Sequence, residues 1–377
     1  MLKLFEPFTD LSSRTEKTEE QTDLFRIFEI EEEFISEYKR SLHPFSHNQY
    51  KQDCYNVISE KLEEKVEAID LTPKLVTNYI SARENSEINS ECLIRGIYSG
   101  ALLERMQQRY PLGSVRIDGR GKKFNYLFYR TKKVKNIIIE NIEGDEILSH
   151  AGSNNSKIGN IVLKNIKGDK LLEFAGSYNG KVSNIHLENI SGDNTLSCAG
   201  LEKGKVEYIF AHNILGKYSL SSLAWEEGTA KYISGKNIQG LGFLILVGRN
   251  GTISHVAISD SDSDHLLDCA GEKSGNASHI TINHAKGKNL LRAIGEHKGV
   301  IKNIAMQDIS EEELFKDAEL YKDTFKNIIY EKDFSKDHVR LFKEIQTLID
   351  RMNSLSLAEQ KSAHEEIAKL QITLFNE

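Results

Sequence analysis

Proline, cysteine and tryptophan are scarce in this chain of 377 residues, at four, four and one. Four cysteines do not make a disulfide framework, which excludes the small stapled folds of secreted modules. The near-absence of proline sits badly with a loop-rich enzyme and well with regular repetition. No apolar run approaches the roughly 18 residues of a membrane span, and residues 1–10 lack the sustained apolar stretch of a secretory leader. Basic residues are not in excess either. Against 56 Asp and Glu there are 49 Lys and Arg, a net charge of −7 that excludes a uniformly basic nucleic-acid binder. The expectation is a cytoplasmic protein with no membrane partner and no cofactor.

What the chain has is glycine, 26 of them, and a phase. Asn-Ile-x-Gly-Asp pentads begin at Asn141, Asn165 and Asn189, with degenerate versions at Asn213 and Asn237, every one 24 residues after the last. A second series runs Asn136, Asn160, Asn184, Tyr208, Tyr232, His255, His279 and Asn303. A third places a glycine after a small residue at Gly152, Gly176, Gly200, Gly248, Gly271 and Gly295, with Trp225 at the missing beat. Three markers in one phase define an internal repeat.

Several glycines per unit exclude a helical pair, and a leucine-rich skeleton is absent. Ile137/Ile139, Ile161/Leu163 and Ile280/Ile282 flank a variable middle residue. Leu148, Leu172, Leu196 and Leu267 precede His150, Phe174, Cys198 and Cys269 in the same in–out–in rhythm, with Ser149, Glu173, Ser197 and Asp268 between. The fold class expected is mainly β: a parallel β-helix or solenoid, right-handed by the usual preference, of about eight 24-residue coils with three short strands each. Stacked coils place Asn141, Asn165, Asn189, Asn213 and Asn237 in a structural asparagine ladder inside a corner, and the following Gly-Asp makes the turn. Cys198 and Cys269, inward but three coils apart, are too distant for a disulfide.

Residues 1–110 carry 21 acidic and 14 basic side chains and read as helices, the last of them (92–110) capping the rod. Residues 334–377 read as a helical hairpin with Leu341, Ile345, Leu348, Met352 and Leu355 on one stripe and a capping box at Ser356–Glu359, expected to close the far end, with oligomerisation or partner docking as the alternative. The domain division is 1–110, 111–333 and 334–377.

Parallel β-helices often carry polysaccharide lyases and hydrolases, but the Asn-x-Asp, Asp-Asp, Gly-His-Gly and Arg-x-Lys set of the pectin hydrolases cannot be assembled on neighbouring coils here. The repeat breaks once, at Ser-Asp-Ser-Asp-Ser-Asp-His (259–265). Asp260, Asp262 and Asp264 have calcium-loop spacing, but His265 and Gly271 stand where that loop needs Gly and Glu, so the expectation is a polar turn. His255 and His279 stack one coil apart without a third ligand, so no metal site is expected. Residues 111–133 hold seven basic side chains and one acid. There Arg116, Arg120, Lys122, Lys123, Arg130 and Lys132 interleave with Tyr126 and Tyr129, as in a single-strand nucleic-acid or anion site. The competing readings are lysines guarding an edge strand and a patch that docks the acidic N-terminal helices.

No reactive constellation stands out. The function expected is therefore a non-enzymatic binding or scaffold protein that presents a rigid solenoid surface to a macromolecule, most simply another protein. The alternatives are a carbohydrate-active β-helix enzyme, if Asp260, Asp262, Asp264 and Asp268 converge with a basic residue in a groove, or a nucleic-acid-associated protein using 116–133.

Overall fold

The computed structural model describes residues 18–42, 48–83, 88–291, 300–309, 325–330 and 333–376; the repeat position Gly295 lies outside them. Four helices come first: α1 (Glu19–Tyr38), α2 (Asn48–Lys65), α3 (Pro73–Ala82) and α4 (Asn89–Arg109). Ten strands follow, β1 (Ser114–Asp118), β2 (Lys133–Glu143), β3 (Lys157–Lys167), β4 (Lys181–Ser191), β5 (Lys205–Leu215), β6 (Thr229–Leu241), β7 (Thr252–Asp264), β8 (Asn276–Lys286), β9 (Val300–Gln307) and β10 (Phe325–Tyr330). The chain closes with α5 (Lys336–Arg351) and α6 (Leu357–Leu374). The strands form one parallel sheet in sequence order, a β-solenoid of about eight turns. Registers hold the repeat, with Asn136 opposite Asn160, then Asn184, Tyr208, Tyr232, His255 and His279.

Each coil has one long strand, not three short ones. The strand bends at the pentad asparagine, which sits in the left-handed region (Asn141 φ 55, Asn165 φ 53, Asn189 φ 55). Asn tolerates that conformation where β-branched residues do not, so one residue type serves both the bend and the row. The amides are bonded from coil to coil: Asn165 Nδ2 donates to Asn141 Oδ1 at 2.9 Å, and Asn189, Asn213 and Asn237 repeat this at 2.8, 2.7 and 2.6 Å. Asp118 Oδ1 accepts from Asn141 and ends the row. These amides lie on the outside of the bend rather than buried within it, because the left-handed residue turns its side chain away from the core. In the Gly-Asp that follows, a Cβ on Gly168 would stand 1.9 Å from the Gly144 carbonyl oxygen, so close coil stacking demands glycine. Each Asp then accepts the next coil's N–H: Asp145 from Asp169 (2.9 Å), Asp169 from Asp193 (2.8 Å).

The remainder of the coil is a chain of overlapping turns. Ser149, Ala151 and Ser153 donate to the carbonyls of Glu146, Leu148 and His150, three residues back, and each turn has a left-handed third residue (Leu148, His150, Gly152) as in type II turns. Side chains here do not alternate. Ile147, Leu148 and Ala151 enter the core, and so do Leu171, Leu172 and Ala175 one coil on. His150, Phe174, Cys198 and Cys269 form an outer row, not an inner one; Cys198 and Cys269 are half-buried and in no disulfide. The missing glycine of the third series is Ala224, itself left-handed at φ 54, and Trp225 follows it at the surface edge.

Helix α4 covers the open end by standing in for a preceding coil. Ser99 Oγ accepts from Phe128 N–H (3.1 Å), Glu104 from Lys132 N–H, and Gln107 Oε1 from Lys135 N–H (3.0 Å). Phe128 and Lys132 are the positions whose equivalents one coil on, Leu148 and Gly152, donate to the preceding coil at Leu127 and Thr131. The hairpin does not close the far end. It lies lengthwise on the sheet's outer face, with Ile345, Ile349, Met352, Ala363 and Ile367 packed on Phe210 and Ala257, and Leu341, Phe342 and Leu374 on Ala305. The 18 residues of α6 span about 27 Å, close to the roughly 24 Å between β4 and β9 at the coil rise. The apolar stripe of α5 therefore faces its own rod, which removes the basis for reading it as an oligomerisation seam.

Candidate functional site

Three regions of the surface collect chemistry. The first is the basic segment, which the structure splits. Arg130 is buried and donates to Gln52 Oε1 (2.7 Å) and the Asn48 carbonyl (3.1 Å), its guanidinium 5.4 Å from the Tyr129 ring. Lys132 donates to Asn56 Oδ1 (2.8 Å) and lies 4.7 Å from the Tyr55 ring. Tyr129 is buried and Tyr126 half-buried, edge to face at 5.7 Å. All four are turned to the N-terminal helices. Arg116, Arg120, Lys122 and Lys123 stay exposed on the other side of the first coil. There Arg116, Arg120 and Lys122 border a cleft of about 420 Å³ against α3, where Arg83, Thr77 and Asn78 form the opposite wall. Arg116 pairs with Glu140 (2.7 Å), and Lys122 donates to the Ser81 carbonyl (2.6 Å).

The second region is the start of the turn face beside α2. His150 stacks on Phe174 (centroids 4.8 Å, 11° between planes) and meets the edge of Tyr129. Burial holds the His150 imidazole well below its ordinary range, with Arg130 and Lys51 adding to the effect. Burial likewise raises the Glu146 carboxyl, and pushes Glu173 up to about 6. Sequence reasoning placed Glu173 as an outward residue with no acid beside it and missed Glu146, because the turn arm was read as a strand and Glu146 has no place in an in–out–in pattern.

The third region is the middle of the same face. Tyr218 is 42% exposed and meets Gly242 together with the half-buried Ile245; Leu215, at the end of β5, is 53% exposed, and Leu246 and Trp225 are half-buried on the turn arms that follow β6 and β5. Arg249 lies over the Trp225 ring at 5.4 Å and pairs with Glu272 (3.3 Å).

The acids of the broken repeat do not converge. Ser259, Ser261 and Ser263 are buried while Asp260, Asp262 and Asp264 face out, so 259–264 is the second arm of β7 rather than a turn. Asp260 takes the ladder position of Asn237, and Asp264 accepts Lys288 N–H at 2.7 Å just as the pentad aspartates do. Asp268 lies elsewhere, on the turn arm, against His265 Nδ1 (3.0 Å) and the Cys269 thiol. Among the described residues no three His, Cys, Asp or Glu side chains gather to hold a metal ion, and no helix is long and apolar enough to cross a membrane.

The molecule these features define is a β-solenoid capped at one end by helices and strapped along one side by a hairpin. Comparison with protein-family models, with curated proteins and with solved structures finds no match to any of them.

Proposed function

We propose that this is a non-enzymatic binding protein that uses the uncovered turn face of its rod to hold a folded protein partner in the cytoplasm. The observation that carries the reading is the band formed by Leu215, Tyr218, Ile245, Leu246 and Trp225. The hairpin covers the sheet's outer face and α4 covers one end, yet among the described residues these apolar and aromatic groups of two successive coils belong to none of the packed clusters. Aromatic anchors with an adjoining Arg are the composition of interface centres. The asparagine ladder, in this reading, is a structural spine that keeps the presenting rows in register. None of the four cysteines is in a disulfide, which agrees with a reducing compartment. Against the carbohydrate-enzyme reading, Asp260, Asp262 and Asp264 face outward on a strand and do not converge with Asp268, and Glu146 and Glu173 are half-buried beside Lys51 of α2. The nucleic-acid reading lacks its stacking rings, since Tyr126 and Tyr129 face the helices.

The test is affinity capture from native lysate, with and without nuclease, using the wild-type chain and the Tyr218→Glu/Ile245→Glu double variant. A stoichiometric protein that survives nuclease and is lost with the double variant supports the proposal. A partner retained by the variant, or material released by nuclease, overturns it.

A further inference from the structure

The cleft between α3 and the first coil has donors that the fold does not use. Arg83 is buried at its wall: Nη1 contacts Glu31 Oε1 (2.5 Å) and donates to Tyr79 OH (2.9 Å), while Nε and Nη2 have no hydrogen-bond partner among the described residues. Arg116 places Nε and Nη2 on one oxygen of Glu140 and keeps a third nitrogen. Lys122 gives one of its three N–H bonds to the Ser81 carbonyl. Arg120 is exposed and forms no ion pair among the described residues, held at φ 50 on the turn by its own N–H to Asp118 Oδ1 (3.1 Å). Four cations thus line one recess; Glu31 and Glu140 pair with Arg83 and Arg116 from behind it, and Asp118 is the one carboxylate on the lining itself.

We propose that this cleft binds a small phosphorylated molecule, whose phosphate oxygens are taken by Arg83, Arg116, Arg120 and Lys122. The buried unpaired donors of Arg83 point to a ligand oxygen, because an unsatisfied guanidinium N–H is costly to bury and rarely tolerated. The cations left without an ion pair among the described residues, Arg120 and Lys122, favour a dianion over a monocarboxylate, and the guanidinium fork suits phosphate oxygens in pairs. A volume of about 420 Å³ falls in the range of small-molecule sites. A nucleic-acid strand fits less well, since Phe124, the ring nearest the cleft, lies beneath Arg83 at 5.2 Å and offers no face for a base. This site is separate from the apolar band on coils five and six, so the two proposals fail independently.

Isothermal titration of the full-length chain tests it, with inorganic pyrophosphate as the probe and a single-stranded oligonucleotide as a second titrant. The expected result is saturable 1:1 binding of pyrophosphate below about 1 mM, weakened at least tenfold by Arg120→Glu and by Lys122→Glu. Both side chains are at the surface, so these variants keep the fold, whereas Arg83→Gln removes a buried partner of Glu31 and is kept for confirmation. Equal binding by the two variants overturns the proposal, as does an absence of binding. An oligonucleotide that binds and is not displaced by pyrophosphate overturns it in favour of a nucleic-acid surface.

Discussion

The two helical ends of this chain both cover the solenoid, but by opposite physical means. The N-terminal helices share a single apolar core with the rod interior, running from Ile27 and Tyr98 through Val115 to Ile282. Helix α4 completes the backbone hydrogen bonding of the first coil, and its glycines press on the chain below. The C-terminal hairpin rests on small separate clusters and on a polar seam. There Gln360 meets His186, Ser234 Oγ meets His364 Nδ1 (3.1 Å), and Gln371 reaches His255 Nδ1 (2.9 Å) and the Val256 carbonyl (2.8 Å). One end is built into the fold and the other is laid upon it. Removing the first should therefore be a global event and loosening the second a local one.

The largest effect is expected at Gly96. A Cβ there would stand 2.2 Å from the Tyr126 carbonyl oxygen, backbone that cannot swing aside. In an ordinary helix Gly→Ala stabilises, but here Gly96→Val should lift α4 from the first coil and destabilise the whole molecule by about 3 kcal/mol. Urea denaturation followed by circular dichroism reads this as one cooperative transition moved to lower denaturant. An unchanged midpoint would show that the cap is not part of the cooperative unit.

The matching change in the hairpin is Ile345→Ala, at a buried position over Phe210 and Ala257. Its cost should be about 2–4 kcal/mol by the usual range for such truncations, but paid locally. Hydrogen exchange should accelerate in α5 and α6 while β2–β5 amides keep their protection. Uniform acceleration through the solenoid would erase the distinction between cap and strap.

Acid sharpens the contrast because the two ends bury opposite kinds of group. Burial pushes His364 down to about 3 and His279, with His255 beside it, to about 4. A histidine whose folded value is depressed binds more protons when released, so its stabilisation is lost as pH falls below the ordinary value near 6.5. His364 alone accounts for on the order of 2 kcal/mol between pH 6.5 and pH 5. In the cap, burial raises the Glu31 and Glu104 carboxyls. A raised acid favours the folded state as pH falls through its folded value, so acid acts on the cap with the opposite sign to its action on the strap. Fluorescence of an apolar dye between pH 7 and 5 should report the uncovered Phe210 face, and His364→Gln should flatten the response. A response unchanged in that variant would place the titration elsewhere.

How much of this was readable beforehand depends on which periodicity a residue obeys. The 24-residue phase exposed the solenoid and its coil number, because direct stacking forces equivalent residues into equal positions, and the apolar stripes and capping box outside it exposed the helical ends. The turn arm escaped because left-handed residues at Leu148 and His150 break the pleat and with it the alternation. A signal was present all the same: Ile147-Leu148, Leu171-Leu172, Phe243-Leu244 and Leu266-Leu267 are adjacent apolar pairs, which an alternating strand with one solvated face does not make. Serine alternating with aspartate over 259–264 was likewise a strand written in polar residues. The hairpin's seat was illegible, since its partners are the variable middle residues of the strands, among them His186, Phe210, Ser234 and Ala257, which have no common chemistry. The cleft depended on a contact between α3 and the first coil that no local pattern announces.

The smallest effect belongs to the asparagine row, and it asks whether the rod between the two ends is held by its side-chain amides or by its backbone. Asn189 donates to Asn165 and accepts from Asn213, with the left-handed φ of 55 that the bend requires. Both bonds are solvent-exposed, so their net worth is about 1 kcal/mol together. Asn189→Ala loses them and also places a Cβ residue without the asparagine's local compensation in the left-handed region, for a further cost of about 1 kcal/mol. Asn189→Gly loses the same amide bonds but is at ease at that φ. Alanine should therefore lower stability by about 2 kcal/mol and glycine by about 1 kcal/mol, both read as midpoint shifts in urea with the slope unchanged. If the two variants are equally destabilised, the stacked amides alone carry the contribution of this position. If glycine matches the wild type, the asparagine is there for its backbone, and the row of amides is a consequence of the bend rather than a cause of it.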